Sequence, residues 1–92
     1  MIGVVYCELY LYSPQSLKEK RSITKSLITR LKQRFNVSVS EIGYQDVWQR
    51  CELAIVTVAS DKTVAEKELG RAMALVDSTP ELERTVTSYE WL

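Results

Sequence analysis

An α+β fold is what this sequence predicts, with a four-stranded antiparallel sheet covered on one face by two helices. Three observations lead to it. Strand-like and helix-like stretches follow one another in the order β-α-β-β-α-β. Each of the two helical stretches opens on a capping residue and carries an apolar stripe along one side. The second and third strands are joined directly by a short turn within Gly43–Gln49, which makes them a hairpin. This is the ferredoxin-like plan of two split β-α-β units, with both helices on the same side of the sheet. The expected order across the sheet is fourth, first, third, second. The 92 residues contain no linker, repeat or low-complexity segment and are read as one domain, 1–92.

The first strand runs from Ile2 to Tyr12, rich in Val, Tyr and Leu, with Pro14 just beyond it. Val5, Cys7, Leu9 and Leu11 share one face and are assigned to the helix-covered core. Val4, Tyr6, Glu8, Tyr10 and Tyr12 share the other. Glu8 interrupts this apolar stretch and no basic segment precedes it, so it is read as a strand and not a signal peptide. Ser16 and Glu19 have the spacing of a capping box and open the first helix, which extends to about Phe35. Leu17, Ile23, Thr24, Leu27, Leu31 and Phe35 form its inward stripe, and Asn36 is its expected stop.

Val37–Tyr44 is the second strand and Arg50–Ala59 the third, the latter apolar on both faces as a central strand should be. Ser60 and Asp61 cap the second helix, which ends near Asp77 and buries Val64, Leu69, Ala72, Met73 and Val76. Glu83–Trp91 is the last strand. Tyr89 and Trp91 are expected to join Tyr6, Glu8 and Tyr10 on the open face of the sheet, with Glu52, Ala54 and Val56 or their alternates from the third strand.

Composition excludes several chemistries. There is no histidine, which removes the commonest general base and metal ligand. Three glycines, at 3, 43 and 70, are too scattered for a phosphate-binding or dinucleotide-binding loop. Cys7 and Cys51 are too few for a zinc site or a disulfide scaffold and read as small core hydrophobes in a reducing cytoplasm. No apolar run approaches the ~20 residues of a membrane span. Glu8, Asp46 and Glu52 match no known catalytic constellation. The expectation is a cytoplasmic protein that is not an enzyme, with no cofactor, no metal and no membrane contact.

Charge is the informative property. The net charge is zero, yet Lys18–Arg34 holds seven basic residues (Lys18, Lys20, Arg21, Lys25, Arg30, Lys32, Arg34) against Glu19 alone. That segment is +6 and the remainder −6. Lys18, Arg21, Lys25 and Lys32 project within roughly 60° of one another, away from the core, and Arg30 and Arg34 flank the apolar side. Like charges three or four apart weaken a helix, so a purely structural helix would interleave acids. The pattern points to an anion-binding face suited to RNA phosphates. The competing reading is a solvated surface with charges paired to acids elsewhere in the chain.

The open sheet face also admits two readings. RNA-recognition domains of this topology stack bases on strand aromatics. The third strand, Arg50-Cys51-Glu52-Leu53-Ala54-Ile55-Val56, has neither aromatic nor glycine, which argues against stacking there. Self-association through Tyr6 and Tyr10 is the alternative, giving a homodimer. In the hairpin, Trp48 is expected to cover the end of the core, with Arg50 pairing to Asp46 or Glu41. The functional alternative is a recognition loop in which Trp48, Gln49 and Arg50 meet a partner.

Three segments, Ser16–Arg21, Arg34–Glu41 and Gln45–Cys51, resemble in sequence and order the YlxP-like family of small bacterial proteins, a domain of unknown function (503). The resemblance spans nearly the whole chain. It implies a ferredoxin-like fold and a link to ribosome maturation or translation, with ribosomal RNA or a ribosomal subunit as partner. It implies no catalytic site. Tyr44 stands where many members carry histidine, so no histidine-based role carries over.

Overall fold

The computed structural model describes residues 1–92. Its elements are β1 (Ile2–Leu11), α1 (Leu17–Arg34), β2 (Ser38–Gly43), β3 (Arg50–Val58), α2 (Lys62–Asp77) and β4 (Leu82–Trp91). The sheet order is β2-β3-β1-β4, and every neighbouring pair is antiparallel. This is the ferredoxin-like arrangement that the element order implies.

Alternation along β1 sorts its two faces as expected. Val5, Cys7, Leu9 and Leu11 are buried beneath the helices with Cys51, Leu53 and Ile55 of β3. Opposite residues in an antiparallel pair share a face. Tyr6 faces Ala54, Glu8 faces Glu52 and Tyr10 faces Arg50, so Glu52, Ala54 and Val56 belong to the open side. Val4 also points to that side but is shielded there, with 6% of its surface exposed.

Tyr89 and Trp91 are not on the open face. They pair with Val5 and Gly3, both on the covered side, and stack on each other beside α2 with ring centroids 5.9 Å apart. Ser88 and Glu90 take the open positions instead, opposite Tyr6 and Val4. A bulge in β4, opposite Glu8, breaks the simple alternation along the strand, and a second in β2 lies opposite Glu52.

The helix ends follow the capping chemistry with one variation. Glu19 N–H donates to Ser16 Oγ at 3.1 Å, and the Glu19 carboxylate accepts from Gln15 N–H at 2.6 Å, one residue before the cap. Asn36 ends α1 by bridging, not by a left-handed turn. Its N–H donates to Glu68 of α2 at 2.7 Å, its amide donates to the Val58 carbonyl, and its carbonyl accepts from Thr57 at 2.7 Å. Asp61 caps α2 through Val64 N–H at 2.9 Å. Val64 itself is half-exposed, and Ala65 and Leu75 complete the buried stripe of α2.

Candidate nucleic-acid interface

Along α1, Lys18, Arg21, Lys25, Lys32 and Arg34 are solvent-exposed, and none makes a salt bridge. The contrast with α2 is direct. There two of the three cations are paired along the helix itself, Lys62 with Glu66 and Arg71 with Glu68, and only Lys67 is unpaired. The acids that balance the whole chain lie elsewhere and do not reach the α1 cations. The exposed side of α1 is therefore an uncompensated positive surface.

Two of the seven basic side chains leave that surface. Arg30 leans across the helix layer, donating to Thr79 Oγ1 at 3.3 Å, with its buried Nε unpaired. Lys20 is fully buried. Its ammonium meets the Glu41 carboxylate at 2.9 Å and donates to the carbonyls of Tyr44 and Gln45. The contact with Glu41 is a close ion pair without hydrogen-bond alignment. Lys20 is thus a core residue neutralised by β2, and with Arg30 also drawn inward the five exposed cations and Glu19 leave an exposed charge of +4 on Lys18–Arg34. Helical spacing carried this signal, because Lys20 lies on the same stripe as Thr24, Leu27 and Leu31, all buried.

The hairpin loop departs from its expected role. Trp48 does not cover the core; it is 51% exposed, beside Val47 at 42%. Gln49 and Arg50 are engaged within the fold. The Gln49 amide donates to Tyr10 Oη and the Tyr12 carbonyl. Arg50 pairs with neither Asp46 nor Glu41. Its guanidinium lies over the Tyr44 ring, 4.1 Å from the centroid, with Glu8 at 3.6 Å.

The open sheet has an apolar and aromatic middle (Val4, Tyr6, Ala54, Val56) with Tyr10 37% exposed at one end. Glutamates surround it. Tyr6 Oη donates to Glu90 at 3.0 Å, Tyr12 Oη donates to Glu83 at 2.9 Å, and Glu8 and Glu52 stand opposite each other in the centre. Hydrogen bonding to these carboxylates raises both phenols above their ordinary range. Arg50 is the only cation among them. The Glu8–Glu52 pair lies on an open surface, while the molecule's one concavity, about 380 Å³, is lined by Lys62, Glu66, Tyr89 and Trp91 on the other side of the sheet.

Cys7 and Cys51 are buried and unpaired. Burial pushes the Cys7 thiol up to about 11, and burial together with the nearby Glu41 carboxylate raises Cys51 as well. Neither is a nucleophile at neutral pH. No three His, Cys, Asp or Glu side chains converge to hold a metal ion, and no helix is long and apolar enough to cross a membrane.

The comparisons agree with the three segments read from the sequence. A family described as "Protein of unknown function (DUF503)" matches residues 2–89. The "Uncharacterized protein YlxP" of Bacillus subtilis (strain 168) is 53% identical over 91 residues, which is 99% of each chain. The chain belongs to the DUF503 family of YlxP-like proteins.

Proposed function

We propose that this protein is a non-enzymatic, cytoplasmic RNA- or ribosome-associated factor that contacts phosphate through the exposed side of α1. One observation carries the reading: the five exposed cations of α1 have no carboxylate partner anywhere in the fold, whereas two of the three cations of α2, and Arg84 of β4, do. Folding gains nothing from leaving like charges together on one helix. A polyanion compensates them by releasing its counterions. Phosphate contacts of this kind orient a domain without reading sequence.

Co-sedimentation with ribosomal subunits across a salt series tests the reading. Binding that weakens steeply with salt is expected. Changing Lys18, Arg21, Lys25 and Lys32 together to Glu should abolish it with the fold intact by circular dichroism. Retention of binding by the charge-reversed protein overturns the proposal.

The second reading is a homodimer through the open sheet, supported by the uncovered Tyr6, Ala54 and Val56. A twofold contact there would set Glu8, Glu52, Glu83 and Glu90 of one copy against the same residues of the other, which raises its cost. A light-scattering mass of a single chain at high concentration would rule it out. The two readings use opposite faces and are independent.

A further inference from the structure

We propose that Trp48 is a base-stacking residue, and that the RNA this protein takes is unpaired, as a single strand or a loop, and not a duplex. This rests on the RNA-binding reading of α1 and goes further by naming the class of RNA.

Tryptophan is among the most buried residues on average, yet Trp48 is half in solvent and lies outside the core cluster. The loop around it is nevertheless firmly held. Lys20 reaches it from α1 through the Tyr44 and Gln45 carbonyls. Val47 N–H donates to the Tyr44 carbonyl at 3.0 Å, and the Gln45 amide to the Glu41 carbonyl at 3.1 Å. On the far side Leu11 N–H donates to the Gln49 carbonyl at 2.9 Å. Tyr44 takes a left-handed backbone, φ 60°, which a bulky residue adopts at a cost and only where its surroundings hold it. Arg50 stacked on its ring is part of that hold.

A buried charge and a strained tyrosine thus fix a loop whose large aromatic points away from the core. An aromatic side chain on an ordered loop loses little conformational freedom when it meets a ligand.

Position argues for the ligand. Because Lys20 spans from the start of α1 to this loop, Trp48 stands at the same end of the molecule as Lys18 and Arg21. Gln49 ties the half-exposed Tyr10–Tyr12 pair to that end as well, rings 5.3 Å apart. Cations that track phosphates beside exposed aromatic rings are the recognition chemistry of unpaired nucleic acid. A duplex offers phosphates but keeps its base faces covered. The sheet is the poorer platform: β3 carries no aromatic on either face, and Tyr6 of β1 is tied to Glu90 among carboxylates that repel phosphate.

The test is fluorescence anisotropy of a labelled, unstructured RNA of about 12 nucleotides and of a hairpin duplex, each titrated with the full chain. Trp48→Ala should weaken single-strand binding by about 5- to 150-fold, the range of one stacked base. Trp48→Phe should restore most of it. The salt slope and the weaker duplex binding should not change. In a Trp91→Phe background, RNA should quench the remaining emission.

Unchanged single-strand affinity in Trp48→Ala overturns the inference and leaves Trp48 as an anchor for a protein partner. Equal wild-type affinity for duplex and single strand also overturns it. RNA binding by none of the variants overturns the α1 reading together with this one. Loss on charge reversal with no loss in Trp48→Ala overturns this one alone.

Discussion

Glu41→Gln should cost more stability than Lys20→Met, although both break the same ion pair. The Lys20 side chain has no solvent exposure and that of Glu41 has 20%. Lys20→Met keeps the length and apolar volume of the stem. It strands a carboxylate whose facing Oε2 is buried but whose side chain keeps 20% exposure and can turn toward solvent, and it removes a charged donor from the Tyr44 carbonyl. A hydrogen bond to a charged group contributes about 1.5–3 kcal/mol, and relief of the ammonium's desolvation offsets part of that loss, so a net cost of about 1–2 kcal/mol is expected.

Glu41→Gln leaves a fully buried ammonium held by neutral oxygens alone. Breaking a buried pair in that sense costs about 3–5 kcal/mol. The double variant should cost less than the sum by at least ~1.5 kcal/mol, because removing both charges leaves neither uncompensated. Urea unfolding followed by far-ultraviolet circular dichroism near neutral pH measures all three, with a constant m-value as the check on two-state behaviour. In a domain of this size each kcal/mol lowers Tm by about 4–8 °C, so the effects are easily resolved. Equal costs of under ~1 kcal/mol with additive behaviour would show that the pair acts like a surface salt bridge, and would refute the reasoning.

Four further outcomes are expected. Gly3→Ala would place a Cβ 2.7 Å from the Trp91 ring and 3.2 Å from Leu69, so a loss of about 1–2 kcal/mol is expected in the same unfolding assay, with Trp91 emission altered. Both thiols should resist a disulfide reagent in the folded protein and react fully in denaturant. Since the folded Cys7 keeps its proton up to about 11 and the unfolded chain releases it near 9, stability should be complete below pH 9. It should then fall as pH rises, by about 1.4 kcal/mol per unit for each thiol still protonated in the fold. If the four-residue stripe of α1 meets four phosphates of a single strand, the slope of log K against log salt should be near −2.8, about a fifty-fold loss between about 50 and 200 mM. A slope near zero would mean the stripe is not the contact.

Much of the fold was legible because it depends on local spacing. Val5, Cys7, Leu9 and Leu11 alternate, so one face of β1 could be assigned to the core without knowing its neighbours. Ser16 and Asp61 mark helix starts through hydrogen bonds to residues three positions on. The exposed stripe of α1 was legible for the same reason, since the helix repeat alone puts Lys18, Arg21, Lys25 and Lys32 together. Lys20 could be counted but not placed from spacing alone: its angle puts it inward, its charge argues for solvent, and only a distant partner resolves the conflict.

The order of the six elements, the core face of β1 and the cationic side of α1 are local properties, because the periods of strands and helices belong to the chain. The tertiary structure decided which cations stay accessible and which way the aromatics point. Glu41 had to arrive from β2 before Lys20 could be buried. The pairing of Trp91 with Gly3 and Tyr89 with Val5 turned those rings to the helix side. Trp48 was left in solvent because Lys20, Gln49 and Arg50 hold its loop from residues 24 to 42 positions away in the chain. Such contacts join residues remote in sequence, so no local pattern encodes them.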